Sequence, residues 1–296
     1  MTTLRRTQLP HPRVSRALFQ RNGVGGRLIS HLLLASGGLL MLIPFFWLVS
    51  SSLKAPHEIY TFPPKWIPDP MRWSNYSEVF AVVPVLGYAL NTLFVTIVGT
   101  AGIVISSSLA AYSFARLRFN GRELIFAAIL ATIMLPFAVT MIPTYILFSR
   151  LGWVGTFLPL IVPDWFGAPI TIFLLRQFFR TIPMELEDAA RIDGASRPRI
   201  FWSIMLPLAR PALTVVTVLA VLQHWNDFLG PLIYLKQREM YTLSLALNAL
   251  QYFEGGLDWT HYVMVMATLM VIPVVILYFL AQRALVEGIV LTGLKG

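Results

Sequence analysis

The sequence predicts an all-α integral membrane protein with six transmembrane helices. Three observations predict it. Of 296 residues, 56% are hydrophobic and only 12% charged, about half the charged share of a soluble domain. So few charges cannot cover a water-facing surface, and lipid must replace water over much of the chain. Apolar runs near the roughly 20 residues that a membrane-crossing helix needs recur along the sequence. Finally, Lys and Arg are shared unevenly between alternate connections.

The elements follow in order. Residues 1–28 form a basic leader holding Arg5, Arg6, Arg13, Arg16, Arg21 and Arg27 and no acidic residue. Pro10, Pro12, Gly23, Gly25 and Gly26 favour a mobile chain before Arg27. The membrane domain is then 29–296. The first span, about 29–51, has no Lys, Arg, Asp or Glu. It exceeds a signal-peptide core of about 7–15 residues, so it reads as a retained span. The second, about 86–115, is equally free of these charges. The third, about 124–148, is interrupted by Pro136 and Pro143. The fourth, about 154–179, contains Pro159, Pro163, Asp164, Pro169 and Arg176. A re-entrant element, or a shorter helix starting near Trp165, stays open for it. The fifth, about 209–235, carries Arg210 and Asp227, and the sixth, about 259–281, is uncharged.

Two connections on one side are large. Lys54–Val85 holds Pro56, Pro63, Pro64, Pro68 and Pro70, which fix the backbone and remove donors, so an ordered but irregular segment is expected. Its Trp66, Trp73 and Tyr76 serve either as interfacial anchors or as a docking surface for an external protein. The second connection has a helix-like run at Tyr241–Phe253, followed by Glu254-Gly255-Gly256.

The side bearing both termini carries 17 of the Lys and Arg residues, and the other side 6. Short basic connections stay in the cytoplasm, so both termini and the 181–207 loop are expected there. Topology thus accounts for the net charge of +9, and no nucleic-acid partner is implied.

The 181–207 loop is the most charged stretch. Pro183 suits a helix start, and Glu185, Glu187 and Asp188 follow where negative charge favours a helix N-terminus. Leu186, Ala189, Ala190 and Asp193 recur at helical spacing, and the small alanines allow close approach of another helix. Gly194 stands where helices end in a left-handed residue. Ser196 and Pro198 signal a second start, Ile200, Phe201, Ile204 and Met205 form its apolar stripe, and Pro207 is expected to stop it. The residues alone also allow an amphipathic loop resting on lipid headgroups.

The spacing Asp188-Ala189-Ala190, Gly194, Ile204, Leu206-Pro207 resembles the Glu-Ala-Ala signature of the membrane subunits of ATP-binding-cassette importers, with Asp in place of the first Glu. Trp225-Asn226-Asp227-Phe228, Pro231-Leu232, Tyr241-Thr242-Leu243, Ile272-Pro273, Gln282-Arg283 and the ending Gly293-Leu294-Lys295-Gly296 are similar to the carbohydrate importers of the maltose type, and to their six-span permease subunit. The resemblance covers about residues 85–296. It implies a type I importer permease fold, with the two short helices docking on a separate ATPase. It also implies two copies of that ATPase, a second permease subunit in a heterodimer, and an extracytoplasmic sugar-binding protein. The setting would be a bacterial or archaeal plasma membrane. The C-terminal segment, with Arg283, Lys295 and Gly296, would add a second ATPase contact.

Other chemistry is missing from the sequence. Residues 288–295 mimic part of a phosphate-binding loop, but Leu294 rather than Lys follows the second glycine. ATP and its hydrolysis are therefore expected in a partner, with no cofactor here and no catalytic residues. His11, His31, His57, His224 and His261 show no metal spacing. Polar residues at membrane depth are the candidates for a cargo path: Gln223, His224, Trp225, Asn226 and Asp227 in the fifth span, and Asn91 in the second. The same residues alternatively serve as helix–helix hydrogen bonds, with Asp227 near the outer interface. An ion-coupled transporter would want inverted repeats, which the sequence lacks. Sugars are the expected cargo, with a polyol or glycerol phosphate as the alternative.

Overall fold

The structure, a computed structural model, describes residues 24–254 and 259–293. Among these residues all regular structure is helical. The chain divides into two units, residues up to Leu48 and residues from Val49 onward. The described residues of the first unit, 24–48, lie in helix α1 (Val24–Ser52). It begins before the expected residue 29, so it takes in the last residues of the expected leader; the rest of that leader lies outside the described residues. Pro44 sits inside α1 without ending it.

In the second unit, the connection after α1 is irregular but pinned, as its prolines suggest. Asn75 Nδ2 donates to the carbonyls of Ser52 and Lys54 at 2.9 Å each. Lys65 pairs with Glu58 at 2.6 Å. Helix α2 (Ser74–Val82) closes the connection. Tyr60 reaches Thr260 at 2.9 Å, and Tyr262 donates to Glu78 at 3.2 Å.

Helix α3 (Val85–Arg116) is continuous and has no internal proline. The next span is two helices, α4 (Arg122–Ala131) and α5 (Phe137–Arg150). The stretches Arg122–Met134 and Phe137–Arg150 meet at 102°, so the interruption expected within 124–148 is a sharp break. Pro136 explains the break: it has no N–H to donate, and it forces Leu135 into an extended conformation, φ −81° and ψ 113°. Pro143, by contrast, lies within α5.

The fourth span is also interrupted. Helix α6 (Leu158–Ile161) and a 3₁₀ turn at Pro163–Phe166 end at Gly167, whose φ of +90° is open to glycine at little cost. Helix α7 (Pro169–Thr181) then resumes. Leu158–Thr181 still meets the length and apolarity needed to cross a membrane.

Helices α8 (Met184–Ile192), α9 (Arg197–Ile200) and α10 (Leu206–Leu208), with a π turn at Phe201–Met205, build the 181–207 loop. Pro207 does not stop this run, contrary to expectation: it sits in the first turn of α10, and the chain bends 79° at Ala209 into helix α11 (Arg210–Trp225). The expected 209–235 span is cut short at Trp225, and helix α12 (Leu229–Tyr234) follows an irregular step. Helix α13 (Leu243–Ala249) and a π turn to Glu254 fill the helix-like run, while Gly255 and Gly256 lie outside the described residues. Helix α14 (Thr260–Gly293) carries Pro273 inside it. Among the described residues, four helical stretches are long and apolar enough to cross a membrane, and six if each bent pair is one span.

Helix α3 is the axis of packing, against α7, α11 and the 163–166 turn. One core cluster, with Tyr112, Leu175, Phe179, Ile200 and Met205, lies under the 181–207 loop. A second joins Val79, Tyr88, Trp225, Leu243 and Met266 near the 54–85 connection.

Candidate functional site

The 181–207 loop is held by one buried ion pair. Arg116 ends α3, and its Nε stands 3.1 Å from Glu187 Oε1, with the two side chains 3% and 0% exposed. The guanidinium also donates to the carbonyls of Phe179, at 2.6 Å, and Ile182. It thereby satisfies backbone left open where α7 gives way to the loop. Arg191 bridges Glu187 and Asp188 at 3.4 Å each. Glu187 therefore faces inward; it anchors the loop and offers no surface to a partner, which corrects its place among the expected contact residues.

The outward surface is complementary to this anchor. Glu185, Leu186, Asp188, Ala189, Asp193 and Gly194 are exposed, as is Ile192 at 87%. Ala190 is buried beneath them, so the two alanines divide between faces; successive helical residues point about 100° apart. Gly194 has φ +79°. Ala195 N–H donates to Ala190 O at 2.9 Å and Gly194 N–H to Arg191 O at 3.0 Å, the paired bonds of a left-handed helix end. No atom stands within 4 Å of where a Gly194 Cβ would lie. In the second helical run Ile200, Phe201 and Met205 are buried. Ile204 and Leu206 are half-buried, Pro207 is exposed, and Trp202 is 58% exposed.

A cleft of about 810 Å³ opens among α3, α5, α7 and α11. The breaks within the third and fourth spans both reach it, through Leu135 and Phe137 on one side and Ala168 and Pro169 on the other. Irregular backbone at membrane depth persists only where protein or water satisfies it. The lining is apolar except for Thr132, Thr140, Thr171 and Gln223, and it contains no charged residue.

Of the fifth-span candidates, only Gln223 lines this cleft. Trp225 is buried, and its indole N–H donates to Met270 O at 3.1 Å, so it is a packing residue. His224 turns to Asp164, with 3.3 Å between Nε2 and Oδ2. Asn226 is exposed and donates to Leu222 O at 2.8 Å. Asp227 accepts the Gly230 N–H at 3.1 Å and closes the start of α12. Asn91 leaves the cargo-path set as well: both its amide N–H groups are used, on Glu239 O at 2.7 Å and Tyr241 O at 3.0 Å. Arg283 lies on α14, whereas Lys295 and Gly296 lie outside the described residues.

Sequence reasoning missed Arg116, Asp164 and the three cleft threonines. In the sequence Arg116 adds to the charge asymmetry, and its position at the end of the long uncharged run 86–115 is the signal that could have found it. Asp164 was seen only as an interruption, although a carboxylate at membrane depth points to a specific partner.

Residues 102–290 match the family described as the binding-protein-dependent transport system inner membrane component. The chain belongs to this family. The arabinooligosaccharides transport system permease protein of Halalkalibacterium halodurans is 36% identical over 208 residues, 70% of this chain and 73% of that protein. The sn-glycerol-3-phosphate transport system permease protein of Rhizobium meliloti is 35% identical over 272 residues, 90% of this chain and 96% of that protein. A bacterial ABC transporter involved in the import of the acidic polysaccharide alginate contains a chain with TM-score 0.75, covering 88% of this chain and 98% of its own, at 24% identity. That likeness supports the type I importer permease fold. The protein is thus an inner-membrane permease of an ABC importer.

Proposed function

We propose that this chain is one of two permease subunits of an importer that carries carbohydrate into the cytoplasm by alternating access. ATP is bound and hydrolysed by two partner ATPases, and an external binding protein delivers the cargo. The observation that carries this reading is the loop on its buried Arg116–Glu187 anchor. A segment so firmly held, yet exposing Ile192 and Trp202 beside Glu185, Asp188 and Asp193, is suited to press into another protein and to pass on its movement as a rigid body. Both termini and the loop then lie in the cytoplasm, in keeping with the basic asymmetry.

The cargo assignment draws on the relatives and on the cleft. Relatives are named for arabinooligosaccharides and for sn-glycerol 3-phosphate. Threonine hydroxyls and the Gln223 amide suit sugar hydroxyls, and a lining without Lys, Arg or His offers no cation to a phosphate ester. An uncharged, hydroxyl-rich cargo is therefore favoured.

Affinity purification tests the reading. The tagged chain is expected to bring down an ATPase and a second permease, and to show no hydrolysis when isolated from them. Hydrolysis by the isolated chain, or absence of an ATPase from a gently solubilised complex, would overturn it.

A further inference from the structure

Besides their arginines, the fourth and fifth spans hold two carboxylates and one histidine at membrane depth: Asp164, Asp227 and His224. Such a side chain costs about 2.5–3.5 kcal/mol on insertion scales unless protein surrounds it, so each calls for a physical account. Asp227 has one, as the acceptor that starts α12. The Asp227 carboxylate also acts on Asp164, but among the described residues the one oppositely charged contact of Asp164 and of His224 is the other. Their side chains are 18% and 7% exposed and their polar atoms lie 3.3 Å apart, yet neither Asp164 Oδ2 nor His224 Nε2 completes a hydrogen bond. They touch without being aligned.

Helix α3 is cut away to admit them. A Cβ at Gly99 would stand 2.6 Å from His224 Cε1 and Nε2 and 2.8 Å from Asp164 Oδ2. A Cβ at Gly102 would stand 2.7 Å from the Trp165 ring. Glycine inside a helix costs roughly 0.5–1 kcal/mol relative to alanine, so this socket has its own cost in α3. Ser106 Oγ donates to Asp164 O at 3.1 Å, fixing the backbone of the 163–166 turn on the same helix.

The pair also joins two walls of the cleft. Asp164 precedes the break whose far side, Ala168 and Pro169, lines the cleft, and His224 follows Gln223, which lines it too. Successive helical residues point about 100° apart, so Gln223 looks into the cleft while His224 looks into the socket. Other cations do not serve Asp164: Arg176, further along the same span, is engaged by Glu123 at 2.8 Å and by Phe114 O.

We propose that Asp164 and His224 are positioning residues that form a latch between the fourth and fifth spans, seated in the Gly99 socket. The latch sets the place of Gln223 and the width of the cleft. Its hydrogen bond closes in one state of the transport cycle and is parted in the other. This rests on the reading of the chain as an ATP-driven importer permease.

The test uses the whole complex in proteoliposomes, with loaded binding protein. Basal and binding-protein-stimulated ATP hydrolysis are measured for Asp164→Ala, His224→Ala, Asp164→Asn and the exchange Asp164→His with His224→Asp. The alanine variants should lose about tenfold or more of the stimulated rate while basal hydrolysis stays within about twofold. Asp164→Asn, which still accepts a hydrogen bond, should keep at least half, and the exchange should recover much of what each alanine loses. A stimulated rate like wild type in both alanine variants would overturn the latch. So would a parallel fall of basal and stimulated rates in Asp164→Asn as well, since that marks a purely structural role. Should the alanine variants not assemble, Asp164→Cys with His224→Cys replaces them, because the chain has no native cysteine. A short bifunctional thiol reagent should then stop hydrolysis and reduction should restore it; unchanged hydrolysis after bridging would refute the proposal. A wild-type complex without an ATPase would instead refute the importer reading.

Discussion

Replacing Glu187 by Gln keeps the shape of the side chain and removes the charge opposite Arg116. Burial determines the cost. With 3% and 0% of the two side chains exposed, solvent screens the pair very little. Removing one partner of such a pair costs about 3–5 kcal/mol. Gln can still accept one N–H, and Arg116 keeps the carbonyls of Phe179 and Ile182, so the low end, about 3 kcal/mol, applies. At about 1.4 kcal/mol per factor of ten, the ratio of docked to undocked α8 should fall roughly a hundredfold. Hydrogen–deuterium exchange in the purified complex reads this directly. Amides such as Asp193 N–H, which donates to Ala189 O at 3.0 Å, should lose protection by about that factor, while mid-α3 amides keep theirs. Glu185→Gln, at an exposed position, should leave α8 protection unchanged. Wild-type exchange over 184–195 in the Glu187→Gln protein would refute the argument that the buried pair holds the loop.

Three further outcomes are expected. At Gly194, Ala should cost only the roughly 1–2 kcal/mol of a left-handed residue, because its Cβ meets nothing; Asp, which adds a charge at the docking face, should abolish uptake and ATPase pull-down at normal expression, and normal uptake would exclude this loop as the coupling element. A reporter inserted near Pro70 should act as external and one fused after Gly296 as cytoplasmic; labelling both from one side would refute the topology. In the 54–85 connection, the hydrogen bond from Lys65 holds the Glu58 carboxyl below its ordinary value. A lowered folded-state pKa gives stability that is present above the unfolded value of about 4.3 and lost as pH falls through the folded one. Protease resistance of this connection should therefore decline only in strong acid, and Lys65→Met should remove that step.

Spans, loops and the Gly194 turn were legible because each rests on a local rule. An uncharged run fixes a helix at membrane depth, and a glycine in the right place ends one. The breaks were less legible. Pro44, Pro143 and Pro273 sit inside continuous helices, while Pro136 accompanies a 102° bend. The proline is the same, and what differs is whether neighbouring segments satisfy the freed backbone groups, which no single residue announces. The cargo-path set divides for a related reason. Polarity at membrane depth marks a residue that needs a partner, but it does not say whether that partner is cargo or protein. For Asn91, Trp225 and His224 the partner is protein; for Gln223 the cleft leaves room for cargo.

Helix α3 has one property with mechanical weight. Near one end, Asn91 holds the carbonyls of Glu239 and Tyr241, and Thr92 Oγ1 accepts Leu243 N–H at 2.8 Å. At the other end Arg116 grips Glu187. Between them the helix has no proline to act as a hinge. Asn91 to Arg116 is a lever of about 38 Å at 1.5 Å per residue, so a tilt of about 10° about either end swings the other through roughly 6–7 Å. Gly99 and Gly102 are the soft points of its middle, and the Asp164–His224 pair and Trp165 fill the space beside them. Whatever tips the 239–243 segment is therefore felt at Glu187, and a push on the 181–207 loop returns along the same arm: the two ends of the span share one mechanical coordinate.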